Sequence, residues 1–202
     1  MSTPVPEHRL CVYCGSSPGK NPAFIAAARE LGVAMARGGI GLVYGGGSTG
    51  LMGEVARAVL ATGGHVIGII PEFLVQKERM LEGVNELIVT RSMHERKHIM
   101  FEKASGFVAL PGGIGTLEEL AEITTWAQLN QHAKPIIVAD VAGYWAHLLK
   151  LIDHMRAEAF IRTETEVILD VAKDVSEVIP LYRQRHDQSR PKIPLAAIRR
   201  QL

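Results

Sequence analysis

The stretch "GFVALPGGIGTLEELAEI", residues 106–123, joins an apolar run to a helical pattern through a glycine-rich turn. The first five residues are continuously apolar, which is typical of a strand buried on both faces of a parallel sheet. Beyond the glycines, apolar residues return every three or four positions, which predicts a helix from about Thr116 to Gln131. A strand, a tight turn and a helix in this order form one unit of an α/β fold.

The same alternation extends over most of the chain. Short apolar runs predict six further strands, at residues 10–15, 40–45, 65–70, 86–90, 135–140 and 166–171. Helical patterns lie between them, at residues 22–37, 51–64, from 93 onward, 144–158 and in a short segment ending near 185. Such a chain folds as an α/β protein with a Rossmann-like, doubly wound parallel sheet. We expect a single domain over residues 1–202, with a flexible basic tail from about 186 and a loop with a short helix at 72–83.

Composition excludes several classes of function. With 202 residues, 47% of them hydrophobic and 21% charged, the chain can bury the core of one compact domain. Its 22 basic and 21 acidic residues give a net charge of +1, so the charge balance does not point to nucleic acid. The start, "MSTPVPEHRL", lacks an apolar signal region, and no apolar run is long enough to cross a bilayer. We expect a cytoplasmic protein with neither a nucleic-acid nor a membrane partner.

Two cysteines, Cys11 and Cys14, form a C-x-x-C pair that could be redox-active. They lie along a predicted strand, however, and not at the start of a helix, where a reactive thiolate is stabilised. This position favours buried, inert thiols.

A first glycine cluster, "YGGGSTGLMG" at residues 44–53, matches the G-x-G-x-x-G fingerprint of dinucleotide-binding proteins at Gly45, Gly47 and Gly50. Glu72 even follows the next strand, where an acid could bind a ribose. The cluster follows the second strand of the chain instead of the first, however, which departs from the dinucleotide-binding pattern. A tight turn with close helix packing is the favoured interpretation over NAD binding.

The second cluster, within "LPGGIGTLEELAEI" at residues 110–123, is the better ligand site. Gly112, Gly113 and Gly115 leave backbone amides exposed, Thr116 adds a hydroxyl, and the positive end of a helix dipole attracts anions. No Gly-Lys-Ser/Thr follows, so a triphosphate P-loop is excluded and a monophosphate is expected. Three acids follow on the first two turns: Glu118, Glu119 and Glu122. They either reach the anchored ligand or simply favour the helix dipole.

The stretch "MHERKHIM", residues 93–100, raises a metal-dependent alternative. His94, Glu95 and His98 have the H-E-x-x-H spacing of zinc metalloproteases. Two cations, Arg96 and Lys97, stand between the acid and the second histidine, whereas zinc proteases usually carry uncharged residues there.

Several separated motifs, in order over roughly residues 10–162, resemble the Lonely Guy family, the cytokinin riboside 5′-monophosphate phosphoribohydrolases, whose members are often mislabelled as lysine decarboxylases. The central match is "PGGIGTLEE" to the family signature PGGxGTxxE, at residues 111–119. The others are "VYCGSSPG" (12–19), "YGGGSTGLMG" (44–53), "VIGIIP" (66–71), "SMHERK" (92–97) and "TWAQL" (125–129). A lysine decarboxylase would need a Schiff-base lysine, and none of the lysines lies in a recognisable pyridoxal-phosphate motif.

The resemblance implies hydrolysis of the N-glycosidic bond of adenosine 5′-monophosphates, with or without an N6 substituent, to free base and ribose 5-phosphate. Arg96 and Glu119 would be catalytic: Glu119 stabilises an oxocarbenium-like transition state and directs water, while Arg96 pairs with it and keeps it ionised. Lys97 would support the anionic substrate. The implied substrate-binding residues are Glu78, Met93, Lys97, Gly112, Gly113, Ile114, Gly115, Thr116, Leu117, Glu118 and Thr125. Ser16 and Gly46 would line the same crevice.

The family pattern at "SMHERK" is Met-x-x-Arg-Lys, without the second histidine, so the resemblance implies neither a metal nor any other cofactor. It also implies a homodimer with the active site near the subunit boundary. The alternative is a non-catalytic protein that binds a nucleotide or the molybdenum cofactor, since molybdenum-cofactor carriers resemble this fold and glycine loop. A mere binder has no use for both Arg96 and Glu119, so their presence favours the enzyme. A dinucleotide-binding oxidoreductase ranks third.

Overall fold

The computed structural model describes residues 5–75, 80–161 and 169–189. Its strands are β1 (Arg9–Tyr13), β2 (Gly41–Tyr44), β3 (Val66–Pro71), β4 (Glu86–Thr90), β5 (Gly106–Ala109), β6 (Ile136–Ala139) and β7 (Asp170–Ala172). Its helices are α1 (Pro22–Arg37), α2 (Gly50–Ala61), α3 (Glu72–Val75), α4 (Met93–Lys103), α5 (Ile114–Gln128), α6 (Ala146–Ala157) and α7 (Val178–Ser189).

The seven strands form one parallel sheet in the order β4-β3-β2-β1-β5-β6-β7. The chain builds outward from β1 to β4 on one side, then returns to place β5 on the other side of β1. This doubly wound arrangement confirms the fold class predicted from the alternating pattern.

The core consists of two apolar layers on opposite faces of the sheet. Alternate residues of β1 point to opposite faces: Leu10 and Val12 pack with α1, α2 and α7, and Cys11 and Tyr13 pack with α4, α5 and α6. Both faces are therefore covered, which is why the strands read as continuous apolar runs.

The element boundaries differ from the prediction in three places. Helix α5 begins at Ile114 because Gly113 is its extended N-cap, and it ends at Gln128, two residues before Asn130 adopts a left-handed φ of 57°. Strand β7 lies at Asp170–Ala172, while residues 162–168, which include part of the predicted strand, lie outside the described residues. Helix α7 continues past 185 to Ser189. In this added turn the ring of His186 lies 4.7 Å from the ring of His8. The rest of the predicted tail, 190–202, is outside the described residues.

The two cysteines are separated by the sheet. Cys11 belongs to one core layer and Cys14 to the other, so their side chains point in opposite directions. Both are free and buried, and burial raises the pKa of both thiols well above the ordinary range. The prediction of buried thiols without thiolate character is confirmed.

Among the described helices, none has the length and apolar character required to cross a membrane.

Replacing Gly50 by alanine is expected to destabilise the fold more than the same change at Gly63. Both glycines have a positive φ, 57° and 81°, but a Cβ at Gly50 would overlap the backbone of Ser16, whereas nothing lies within 4 Å of one at Gly63. Gly63→Ala should lower the free energy of unfolding by about 1 kcal/mol from backbone strain alone. Gly50→Ala should lower it by roughly 3 kcal/mol or more, because the overlap is with backbone. Urea denaturation measures both, and equal losses would contradict the close approach.

Candidate active site at the carboxyl ends of β1 and β5

The site lies where the winding direction of the sheet changes, between β1 and β5. Loops after adjacent strands diverge at such a point and leave a crevice at the carboxyl edge of the sheet. Here the crevice is a cavity of about 250 Å³ between the loop at 15–19 and the loop at 111–113, closed by Phe24, Leu51 and Tyr144. Ser16 is exposed and lines this cavity, as predicted.

The peptide of Gly15 connects the loops of this crevice. Its N–H donates to the carbonyl of Pro111 (3.0 Å), and its carbonyl accepts from the amides of Leu51 (3.0 Å) and Met52 (3.3 Å). The N-terminus of α2, which would hold the pyrophosphate in a dinucleotide-binding protein, is thus filled by the protein itself. Gly50 gives Ser16 room to pass. The first glycine cluster is therefore a tight turn with close packing, and the dinucleotide alternative loses its binding site.

The N-terminus of α5, in contrast, is open. Gly113 is its N-cap, Ile114 is 82% exposed, and a Cβ at Gly113 or Gly115 would meet nothing within 4 Å. No group in the described part of the chain accepts a hydrogen bond from the amides of Ile114 and Gly115. Free N–H groups at the positive end of a 15-residue helix form an anion site.

The loop before α5 is supported from below and from the side. Thr116 is only 4% exposed, and its hydroxyl lies against Gly112, where a Cβ would overlap it. Thr116 therefore fixes the loop from beneath, whereas the sequence predicted a hydroxyl presented to the ligand. The Tyr144 hydroxyl donates to the carbonyl of Gly112 (2.5 Å), and its ring contacts Phe24 edge to face at 5.4 Å. Sequence reasoning missed Tyr144, whose only signal is its place just after β6.

Arg96 projects from α4 into a cage of backbone carbonyls. It is 7% exposed; its Nε donates to the carbonyl of Ile69 (3.1 Å) and its Nη2 to that of Gly45 (3.3 Å). A Cβ at Gly45 would overlap the guanidinium, which explains the glycine at this position. Met93 Sδ lies 3.8 Å from Nη1. No hydrogen bond or ion pair among the described residues joins Arg96 to Glu119, so Arg96 acts on Glu119 through its charge and not through a direct contact.

Glu119 is an acid with a raised pKa. Burial raises the pKa of its carboxyl from 4.5 to about 7, outweighing the nearby Arg96 charge, which lowers it. The Arg96 charge thus acts in the predicted direction, since it favours the ionised carboxylate, but burial is the larger effect on the pKa. Protonated and ionised forms are both populated near neutral pH.

Lys97 links α4 to α5 by two ion pairs. Its ammonium contacts Glu118 Oε1 at 2.5 Å and Glu122 Oε1 at 3.0 Å. Burial alone would lower the pKa of Lys97, but the hydrogen bonds to these two carboxylates raise it. An anionic substrate, which Lys97 was predicted to support, would thus compete for its ammonium with two carboxylates that already neutralise it.

Comparison with known proteins shows to which family this chain belongs. A family model described as "Possible lysine decarboxylase" matches residues 52–181. A probable cytokinin riboside 5′-monophosphate phosphoribohydrolase of Oryza sativa subsp. japonica is 46% identical over 171 residues, covering 85% of this chain and 70% of that protein. A cytokinin riboside 5′-monophosphate phosphoribohydrolase of Arabidopsis thaliana is also 46% identical over 171 residues, covering 85% and 79%. The chain belongs to the Lonely Guy family.

Solved structures share the fold of this Lonely Guy protein. The molybdenum cofactor carrier protein of Chlamydomonas reinhardtii has a TM-score of 0.64 and 26% identity, covering 88% of this chain and 97% of that chain. The molybdenum cofactor binding protein of Rippkaea orientalis has a TM-score of 0.64 and 24% identity, covering 88% and 96%. The relatives named as phosphoribohydrolases are much closer in sequence than these carriers.

Lys97, the lysine within the motif "SMHERK" quoted above, is in a state unsuited to decarboxylase chemistry. A Schiff-base lysine needs a neutral amine, which a lowered pKa provides. The two carboxylates beside Lys97 raise its pKa instead. The description of the family model as a decarboxylase thus finds no support at this residue.

Glu95 and His98 of the H-E-x-x-H spacing make contacts that stabilise helix α4 or lie on its surface. The Ser92 hydroxyl accepts from the amide of Glu95, and the Glu95 carboxylate accepts from the amide of Arg91 (2.7 Å), which together cap the N-terminus. His98 pairs with Glu102 on the exposed surface, 3.3 Å apart. Within the described ranges, no three His, Cys, Asp or Glu side chains are grouped to hold a metal.

The remaining predicted residues of the Lonely Guy site fall into three places. Gly46 is buried with a φ of 81°, directly after Gly45 beneath Arg96. Leu117 and Thr125 line a different groove, between α5 and α6, and the Thr125 hydroxyl donates to the carbonyl of Ala121. Thr125 lies about 16 Å along the helix axis from Ile114. Glu78 lies outside the described residues. The structure therefore places Ser16 and the glycine loop around one cavity and Glu119 within reach of the Arg96 charge, whereas Thr125 lies elsewhere.

Glu119→Gln is expected to stabilise the protein at alkaline pH. Because the folded-state pKa of about 7 exceeds the ordinary 4.5, the ionised carboxylate weakens folding progressively as the pH rises from 4.5 through 7. The amide removes this penalty, so the variant should gain on the order of 2 kcal/mol at pH 8 and little at pH 5.

Urea denaturation at both pH values measures this gain. Glu102→Gln is the matched control, since Glu102 is exposed on α4 and pairs with His98, and it should give no gain at pH 8. A Glu119→Gln variant that is equally or less stable than the wild type at pH 8 would contradict the raised pKa.

Proposed function

We propose that this protein hydrolyses the N-glycosidic bond of adenosine 5′-monophosphates, including N6-substituted ones, to free base and ribose 5-phosphate. The observation that carries the proposal is the combination on one helix of an open amide-rich N-terminus and a partly buried acid of raised pKa, Glu119, little more than one turn later. The names of the relatives from rice and Arabidopsis support the same reaction.

The open N-terminus of α5 suits the 5′-phosphate. The amides of Ile114 and Gly115 can donate to phosphate oxygens, and the helix dipole favours the charge. A monophosphate held there places its ribose over the following turn, where Glu119 lies. The phosphate would thus supply binding energy and fix the position of the reacting bond.

Glu119 suits the chemistry at C1′ of the ribose. As the C1′–N bond breaks, its electron pair leaves with the base, and positive charge develops on the ribose, which an ionised carboxylate stabilises. Water adds to C1′ and its proton passes to Glu119, which then returns that proton to the departing base, so the carboxyl ends the reaction ionised as it began. A pKa of about 7 lets one carboxyl both accept and release a proton near neutral pH.

The non-catalytic alternative is a carrier of a nucleotide or of the molybdenum cofactor, and the shared fold with carrier proteins favours it. An anchoring loop alone would serve such a protein. Burial of Arg96 and desolvation of Glu119 oppose stability, and anchoring of a phosphate by backbone amides requires neither. This difference favours the enzyme.

The assay that tests the proposal measures base released from adenosine 5′-monophosphate, its N6-isopentenyl derivative and the matching nucleosides. Nucleosides should react far more slowly, since they lack the group that the α5 amides hold. Glu119→Gln should lower turnover by roughly a hundredfold or more, with little change in KM. Arg96→Ala should lower it too, and the double variant should be less than additive.

Glu102→Gln is the control for this assay, because Glu102 is exposed on α4 and pairs with His98, away from the cavity. It should retain wild-type turnover. Near-normal turnover of Glu119→Gln with every phosphorylated nucleoside, or equal rates for adenosine and its monophosphate, would leave a nucleotide-binding module as the better description.

We also propose a homodimer that forms across α5 and α6. The groove between these helices has a volume of about 390 Å³ and is lined by apolar side chains, and Phe160 beside it is 83% exposed. Apolar surface of this kind is typical of protein interfaces. Thr125 lies on this face, so its implied substrate contact would be made to the site of the partner subunit, which supports an active site near the boundary.

Phe160→Glu is expected to weaken the dimer. The side chain is 83% exposed in a single chain, so the change should leave the folded monomer intact while placing a charge in the interface. Sedimentation velocity should show more monomer at a given concentration, corresponding to a dissociation constant of the dimer that is tenfold higher or more. Phe73→Glu on α3, half-exposed at the other side of the sheet, is the control. A wild-type protein that is monomeric at micromolar concentration would refute the dimer.

A further inference from the structure

The three side chains Lys97, Glu118 and Glu122 form a clasp between α4 and α5. Lys97 is 16% exposed and Glu122 22%, so their contact is shielded from solvent more than an ordinary surface pair. Glu118, the third member, is 51% exposed. Glu118 and Glu122 lie one helical turn apart and accept from the same ammonium.

The clasp has an unbalanced charge. One ammonium faces two carboxylates, which leaves a net charge of −1 when all three are ionised. Lys97 and Glu118 alone would be neutral, so Glu122 supplies the excess. Glu119 lies between the two clasp acids in sequence and feels both, since each raises its pKa while Lys97 and Arg96 lower it.

The charged groups of the described residues that act on Glu119 belong to two helices. Arg96 and Lys97 lie on α4, and Glu118 and Glu122 lie on α5 itself. Cys11 and Tyr13 of β1, and Cys14 just after it, also interact with the Glu119 charge. Burial raises the pKa of these three groups above the ordinary range, so they are neutral where Glu119 titrates. Four charges therefore modify a pKa that burial has raised.

We infer that Glu122 is a positioning residue for the proposed hydrolysis: it lies three residues from Glu119 on α5, where side chains are neighbours, and it makes the Lys97 clasp net negative, so that the clasp offsets the Arg96 charge at the Glu119 carboxyl. The inference rests on the proposed function. It assigns Glu122 a role through charge, in addition to the mechanical link between α4 and α5. Arg96 and the clasp act in opposite directions on a carboxyl whose pKa burial has already raised.

Opposite shifts of the Glu119 titration distinguish this role from a structural one. Glu122→Gln removes a negative charge but leaves Lys97 paired with Glu118, so Glu119 should ionise at a lower pH, by roughly half a unit or more. Lys97→Met removes the positive charge, so Glu119 should ionise at a higher pH by a similar amount. Loss of a merely structural link would lower activity in both variants without moving the two midpoints apart.

Two measurements read these midpoints at low ionic strength, where charge effects are least screened. The pH dependence of kcat/KM for adenosine 5′-monophosphate reports ionisation in the free enzyme. A carbon-13 NMR titration of the Glu119 carboxyl, assigned by its loss in Glu119→Gln, reports the same group without substrate. Glu118→Gln should shift the Glu119 midpoint in the same direction as Glu122→Gln. It replaces Glu122→Gln in the experiment if that variant does not fold. Glu102→Gln, which leaves the clasp intact, should shift nothing.

The two readouts separate the outcomes. If the wild type releases no base from any nucleoside 5′-monophosphate, the proposed function is wrong, and the NMR titration still decides the charge balance. If base is released but the midpoints of Glu122→Gln and Lys97→Met move together or stay at the wild-type value, the clasp is only a mechanical link. Midpoints that move apart in the stated directions establish the inference.

Discussion

The peptide unit of Gly15 holds the site together. Its N–H binds the loop that precedes α5, and its carbonyl binds the first amides of α2, so three segments far apart in sequence meet at one point. Each of these hydrogen bonds satisfies a backbone group that burial would otherwise leave unpaired. With α2 closed in this way, the anion-binding capacity of the crevice is left to α5.

Beside the segments joined by Gly15, the charged groups Arg96 and Glu119 determine the chemical character of the site. Arg96 is held by carbonyls of β3 and of the turn after β2, so its position depends on the sheet and not on the acid it influences. Glu119 is close enough to experience this charge but is not bonded to it, and burial dominates its pKa. The arrangement opposes stability and is maintained by the surrounding fold, as is common where activity requires a strained or desolvated group.

Much of this architecture could be predicted from sequence. Continuous apolar runs alternating with helical patterns identified the seven strands and the doubly wound sheet, because burial on both faces leaves that signature. The glycine loop before α5 identified an anion site, since glycines and a helix start are local features. The N-cap of α4 at Ser92 is likewise a local feature of the sequence.

What sequence could not provide were the distances between segments. The carbonyls around Arg96, the clasp on Lys97 and the contact of Tyr144 with Gly112 join residues between 21 and 51 positions apart. No periodicity encodes such contacts. The pKa of Glu119 likewise depends on how deeply the fold buries it, which a motif does not specify. For the same reason Thr125 was grouped with the glycine loop, although α5 carries it to another face.

The open amides at the start of α5 carry one further consequence. A binding group made of backbone has no side chain to truncate and no proton to titrate, so neither an alanine scan nor a pH profile would detect it. Alanine at Gly113 or Gly115 would add a methyl group beside the bound anion instead of removing a contact. Replacing the peptide bond itself, for example by an ester at Gly115, deletes one donor and leaves the side chains unchanged.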